Sequence, residues 1–212
     1  MQLSKQQRHL VLSGILLSLI MAVLIPLGTR DLDPLTGLVG VFVVYWVLFC
    51  IPVALYFGRG SRPVTIGFDL SPVWVGGLAL ALPVAVFFGS GAFNWLGSEP
   101  SLLMVAVGCA VINGPLEELA WRRPFRAHSE GRLSFELIGL CLFTLWHVPF
   151  YFVHGVSFDH DAAGLIGGAF VLGLLWMFMT RVSNSVGWPV VSHALVNSAG
   201  FIGLFASNFG GA

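Results

Sequence analysis

Long apolar runs separated by short polar breaks dominate the chain. The runs cover residues 10–28, 35–58, 73–96, 101–116, 135–153, 162–180 and 186–207. Most approach or exceed the about 20 residues a helix needs to cross the hydrocarbon core of a bilayer. None alternates apolar with polar positions as a barrel strand would, so helices are expected. The pattern predicts an all-α membrane protein, a polytopic bundle of about seven transmembrane helices forming one domain over residues 1–212. The first run follows Lys5 and Arg8, as in a signal peptide. It is longer than a usual signal core and ends in Pro-Leu-Gly-Thr-Arg rather than a small-residue cleavage site, so it reads as a retained helix.

Composition supports this reading. Apolar residues make up 57% of the 212, and charged residues only 9%, against roughly 25% in an ordinary soluble domain. So little charge excludes a soluble globule, a disordered chain and a basic nucleic-acid binder. Cys50, Cys109 and Cys141 all fall in apolar runs with no C-x-x-C pair; two lie mid-run, where they read as small buried residues rather than as a catalytic or metal-binding set.

The net charge of zero hides an asymmetry. With the N-terminus in the cytoplasm, Lys5, Arg8, Arg59, Arg62, Arg122, Arg123, Arg126, Arg132 and Arg181 lie on the inner side, and only Arg30 lies outside. Asp31, Asp33, Glu99, Asp159 and Asp161 populate the outer loops, while Asp69, Glu130 and Glu136 lie at the inner surface. The positive-inside rule then holds at every loop. A multi-pass protein of a cell membrane, with a cytoplasmic N-terminus, is expected. Trp74, Trp95 and Trp188 fall near span ends, where indole rings anchor at the interface. Gly164 and Gly168 form a G-x-x-x-G pair, which predicts close helix packing.

Ionisable groups at membrane depth are costly and are functional candidates by default. Four stand out: Glu117, Glu118, His147 and His193. The first two lie in Asn113-Gly-Pro-Leu-Glu117-Glu118-Leu-Ala-Trp121-Arg122-Arg123. Gly114-Pro115 should break or bend the helix. Glu118 and Arg122 are four apart and face each other as a local ion pair. Glu117 points about 100° away, which leaves it free for work in the interior. His147 shares a helical face with Phe143, and Pro149 should loosen the helix just beyond. His193 and Asn197 are also four apart and project together. Helical rise places Glu117, His147 and His193 in the cytoplasmic half or near the midplane, so a single wet cavity opening to the cytoplasm is expected.

Glu117-Glu118-x-x-x-Arg122, Phe143-x-x-x-His147 and His193-x-x-x-Asn197 resemble the three motifs of the CAAX-protease/bacteriocin-processing (CPBP, "Abi") family of intramembrane proteases. The likeness lies within the motif-bearing core, residues 101–207; the first three helices resemble the family only in being apolar. One local departure is Arg123-Pro124, where family members commonly carry glycine after the motif arginine. The resemblance implies hydrolysis of a peptide bond in a membrane-associated or lipidated peptide. By position, Glu117 and His147 would activate a water, His193 and Asn197 would stabilise the oxyanion, and Glu118 and Arg122, with Phe143, would support the site. No cofactor is favoured: H-E-x-x-H is absent, and the family reading is metal-free. A zinc site formed by Glu117, His147 and His193 is the alternative. The expected partners are a peptide or lipidated-protein substrate and membrane lipids, not nucleic acid. Two competing readings are a non-catalytic scaffold or immunity protein of the same fold, and a transporter or proton relay; the lack of an internal repeat weighs against the latter.

Overall fold

The computed structural model describes residues 2–68, 72–158 and 161–210. Asp69 and Asp159, counted above among the loop charges, lie outside them. Seven helices follow one another: α1 (Lys5–Gly28), α2 (Pro34–Phe57), α3 (Val73–Gly89), α4 (Pro100–Ala127), α5 (Leu133–Phe150), α6 (Asp161–Ser183) and α7 (Gly187–Phe209). Six are long and apolar enough to cross a membrane. The exception is α3, whose 17 residues fall short of the apolar run that predicted it. The run continues to residue 96, but the helix stops at Gly89 and a separate 3-10 turn, Ala92–Trp95, follows. The architecture is an all-α polytopic bundle.

Each helix turns one apolar stripe inward and another toward lipid. On α1, Leu10, Gly14, Leu17, Met21 and Ile25 are buried at helical spacing, while Leu12, Leu16, Leu19, Val23 and Leu27 are exposed. This is the inside-outside equivalence expected where the solvent is hydrocarbon. Proline does not break the long helices. Pro115 sits inside α4, which continues to Ala127. The expected distortion appears instead just after it, as a π-helical turn over Glu118–Arg122. Pro124 falls in the first turn of the α-helical stretch that follows, where its missing N–H costs nothing, so Arg123-Pro124 does not end the helix. A second π-turn, Trp46–Cys50, interrupts α2. π-turns are rare and concentrate at functional sites; the side chains around these two meet.

The principal helix contacts are α4 against α7, α1 against α5, α3 against α7 and α5 against α6, whereas α6 and α7 touch little. The α4–α7 contact rests on Gly114. A Cβ there would lie 2.6 Å from the Ala194 backbone nitrogen and 2.8 Å from its Cα, so only glycine lets these backbones meet. The expected packing pair behaves differently. A Cβ on Gly168 would meet nothing within 4 Å, and Gly164 and Gly168 line a cavity rather than a helix seam.

The end of the bundle bearing the N-terminus is closed by polar contacts. The Gln7 amide donates to the His128 carbonyl at 2.6 Å and accepts from Arg132 at 3.1 Å. The chain between α2 and α3 pairs with the α6–α7 turn through Thr65 N–H to the Asn184 carbonyl and Val186 N–H to the Thr65 carbonyl. Arg126 and Arg181 both donate to Glu136 Oε1, at 2.9 and 2.7 Å. Glu136 was expected at the inner surface, yet only 2% of it is exposed; two guanidinium groups pair with its Oε1 there. Among the cysteines, Cys50 and Cys109 are buried as expected, whereas Cys141 faces outward.

Candidate active site

The π-turn of α4 with the residue before it, and the N-terminal part of α7, bring four ionisable groups together away from solvent. Glu117, Glu118, Arg122 and His193 are 2%, 0%, 5% and 2% exposed. Glu118 Oε1 lies 3.5 Å from Arg122 Nε, as the i,i+4 spacing predicts, and 2.8 Å from His193 Nδ1. His193 Nε2 lies 3.3 Å from Glu117 Oε2. Each imidazole nitrogen thus faces a carboxylate oxygen, and each line needs one hydrogen. With both hydrogens on the imidazole the quartet is electrically neutral, which limits the cost of holding these groups out of water. The Trp176 ring stacks on the imidazole at 3.7 Å, and Ser192 accepts the Trp176 indole N–H.

Glu117 is not free, as its position on the helix suggested. Its Oε1 accepts from the Tyr45 hydroxyl at 2.9 Å and the Trp146 indole at 3.2 Å. Its Oε2 accepts from the Asn113 amide at 2.9 Å as well as facing His193. Asn113 is oriented by Trp46, whose indole donates to its Oδ1 at 2.8 Å, and Tyr45 by the Trp121 indole at 2.7 Å. Tyr45, Trp46, Trp121, Trp146 and Asn113 were not singled out from the sequence. The available signal was their chemistry: buried Tyr and Trp need a partner for O–H or N–H. The second helix therefore supplies site residues and is more than an apolar filler.

His147 sits one turn beyond Phe143, their rings 4.7 Å apart and edge to face. Its Nδ1 lies 2.8 Å from the Phe143 carbonyl. A carbonyl only accepts, so Nδ1 carries the hydrogen, and in neutral imidazole Nε2 keeps its lone pair. The other face of the site is set by Arg122, whose guanidinium lies 3.7 Å from the Phe143 ring centroid.

Glu117, His147, His193 and Asn197 all line one cavity of about 320 Å³, together with Asn113, Phe143 and Trp146. The sequence-derived residues therefore converge. Asn197 is partly exposed there. Glu118 and Arg122 lie behind the wall and support it. The cavity continues between α6 and α7 past Gly164, Gly168, Gly200 and Gly203 to Ser90 and Asp161. These residues lie at the end of the bundle opposite the N-terminus. The lining thus reaches toward the end opposite the N-terminus, whereas the helical depths pointed to the N-terminal half. The polar lattice of Gln7, His128, Arg126 and Glu136 holds the other end together. We expect a cysteine at Ser90, in a Cys141→Ser background, to react with a membrane-impermeant maleimide only from the side opposite the N-terminus. Labelling of Ser90→Cys and Arg62→Cys from the same side would contradict this topology.

The donor set fits a zinc ion poorly. A ligating imidazole must offer a lone pair, but both His193 nitrogens face carboxylates, and Glu117 already accepts three neutral donors. Among the described residues no group of three or more His, Cys, Asp or Glu is arranged to hold a metal ion.

Buried carboxylates, a histidine with a free Nε2 lone pair and a cavity thus meet within one apolar bundle. Residues 99–199, just under half of the chain, match the family described as "Type II CAAX prenyl endopeptidase Rce1-like". This part of the chain is thus similar to the CAAX-protease family, the one its three motifs resemble. No curated protein and no solved structure matches the chain.

Proposed function

We propose that this protein is an intramembrane endopeptidase that hydrolyses a peptide bond of a membrane-associated or lipidated peptide with a carboxylate-activated water. The observation that carries the reading is the convergence of Glu117, His147, His193 and Asn197 on one cavity. The water sits between Glu117 and His147. His147 Nε2 has the lone pair to take its proton, and the adjacent carboxylate stabilises the imidazolium that forms. Attack on the scissile carbonyl places negative charge on its oxygen. Asn197, one turn beyond His193, donates to that oxygen. His193 joins it by releasing Glu117, the longer of its two carboxylate contacts. The proton on His147 then passes to the leaving amine. No metal takes part in this scheme. An α6–α7 wedge walled by glycine has room for an extended backbone, and its apolar lining suits a substrate that arrives from the bilayer.

Glu118 and Arg122 are positioning residues. Glu118→Gln leaves a buried guanidinium without its counter-charge, which costs about 3–5 kcal/mol. Glu117→Gln keeps an acceptor for Tyr45 and Trp146, and its cost is limited to roughly 1–3 kcal/mol for mismatched donors at the other oxygen. Thermal melts in detergent should therefore show the larger loss for Glu118→Gln. The reverse order would contradict the division of roles. The activity itself is tested with a lipidated membrane peptide and the purified protein: a new carboxyl terminus is expected in the product, and an intact substrate would overturn the reading.

A further inference from the structure

Among the described residues, five buried side-chain polar atoms have no hydrogen-bond partner in the protein: Glu118 Oε2, Arg122 Nη1 and Nη2, Glu136 Oε2 and Thr180 Oγ1. Four of the five belong to residues lining one small internal void, with Trp121, Phe125, Arg126 and Met177 among its other walls. The void measures about 10 Å³, close to the size that holds a single water. It lies on the far side of Arg122 from the catalytic cavity, whose walls it does not share.

Thr180 gives the clearest sign that the void is built for something. Buried helical hydroxyls elsewhere bond back to the preceding turn: Ser18 to Gly14, Thr144 to Leu140 and Ser183 to Met179. Thr180, 1% exposed, does not do so. A hydroxyl that forgoes this local bond while buried costs about 1–3 kcal/mol unless another partner is supplied. Gly173 leaves room for the guanidinium opposite, since a Cβ there would lie 2.9 Å from Arg122 Nη2.

We infer that this void is a binding site for one ordered water, which bridges Arg122, Thr180 and Glu136. Water suits the donor set: it accepts from the guanidinium N–H groups, and it donates to Glu136 Oε2 and to the Thr180 hydroxyl. The Glu136 carboxylate disfavours an anion, and Arg122 with Arg126 disfavours a cation. The bridge links two networks: the Glu118–Arg122–His193 clamp and the Arg126–Glu136–Arg181 lattice that closes the bundle. Thr180 is thereby a positioning residue for Arg122.

The site can be tested without any assumption about catalysis. Millisecond X-ray radiolysis generates hydroxyl radicals from bound water, so buried side chains beside an ordered water are oxidised faster than their exposure allows. Met177 lines the void at 8% exposure, and Met21, 3% exposed, lines neither cavity. In ¹⁸O-labelled water we expect Met177 and Trp121 to take up label several-fold faster than Met21 and Trp46. Thr180→Val should reduce that excess, and Thr180→Ser should restore it. Equal rates across these residues, or an excess unchanged by Thr180→Val in a protein that remains folded, would overturn the proposal. Melting temperature serves as the fold control for both variants.

Discussion

Glu117→Gln is expected to lower the rate of peptide-bond hydrolysis by roughly 10²–10⁴-fold, the range of general acid–base catalysis, because His147 loses the carboxylate that stabilises its imidazolium. The protein should remain folded. Glutamine keeps the shape of the side chain and one acceptor oxygen for Tyr45 and Trp146. Only the Asn113 and His193 side of the group is disturbed. Glu117→Ala is the poorer experiment. It strands the Tyr45 hydroxyl, the Trp146 indole and the Asn113 amide, each at about 1–3 kcal/mol, and would confuse misfolding with lost chemistry. The assay is single-turnover cleavage of a membrane peptide, read by mass, with the melting temperature measured on the same sample. A folded variant that cleaves at the wild-type rate would remove Glu117 from the mechanism.

The second large effect lies away from the reacting groups. Gly114→Ala should gain about 1 kcal/mol of helix propensity, but its Cβ would fall 2.6 and 2.8 Å from Ala194 backbone atoms. Backbone cannot swing aside as a flexible side chain does, so α7 must shift, at about 1–3 kcal/mol. The two terms leave at most a modest net loss of stability. His193 is the residue before Ala194, however, and holds both carboxylates through contacts of 2.8 and 3.3 Å. Displacements of about 1 Å at a site can cost roughly 10²-fold in rate. Activity should therefore fall by about that factor with little change in melting temperature. A Gly114→Ala protein with full activity would show that the α4–α7 contact does not set the site.

The sequence carried the helices and the motifs, because lipid burial and ionisable scarcity are local properties of the chain. Long apolar runs defined seven helices. Glu117, Glu118, His147 and His193 stood out because so little else in the membrane carries charge. Their convergence with Asn197 was an expectation from helical depth, and the shared cavity supplies it. Properties set between helices were less legible. Nothing in the spacing of Tyr45 or Trp46 says that α2 faces Glu117; that contact joins residues 72 apart in the chain. Gly164 and Gly168 have the pattern of a packing pair, yet Gly114 carries the close approach, since small residues line cavities as readily as seams. Glu136 looked like a surface charge because its partners Arg126 and Arg181 lie on other helices. The polar closure at the N-terminal end is likewise assembled from separate segments of the chain.

The most direct test of the account is cleavage by the purified protein in vesicles, in ¹⁸O-labelled water, after exhaustive chelation. Attack by an activated water without a metal predicts products at the untreated rate, with ¹⁸O in the new carboxyl terminus, from the wild type and not from Glu117→Gln. Loss of cleavage on chelation with recovery on adding zinc, or no cleaved product from the wild type, would contradict it.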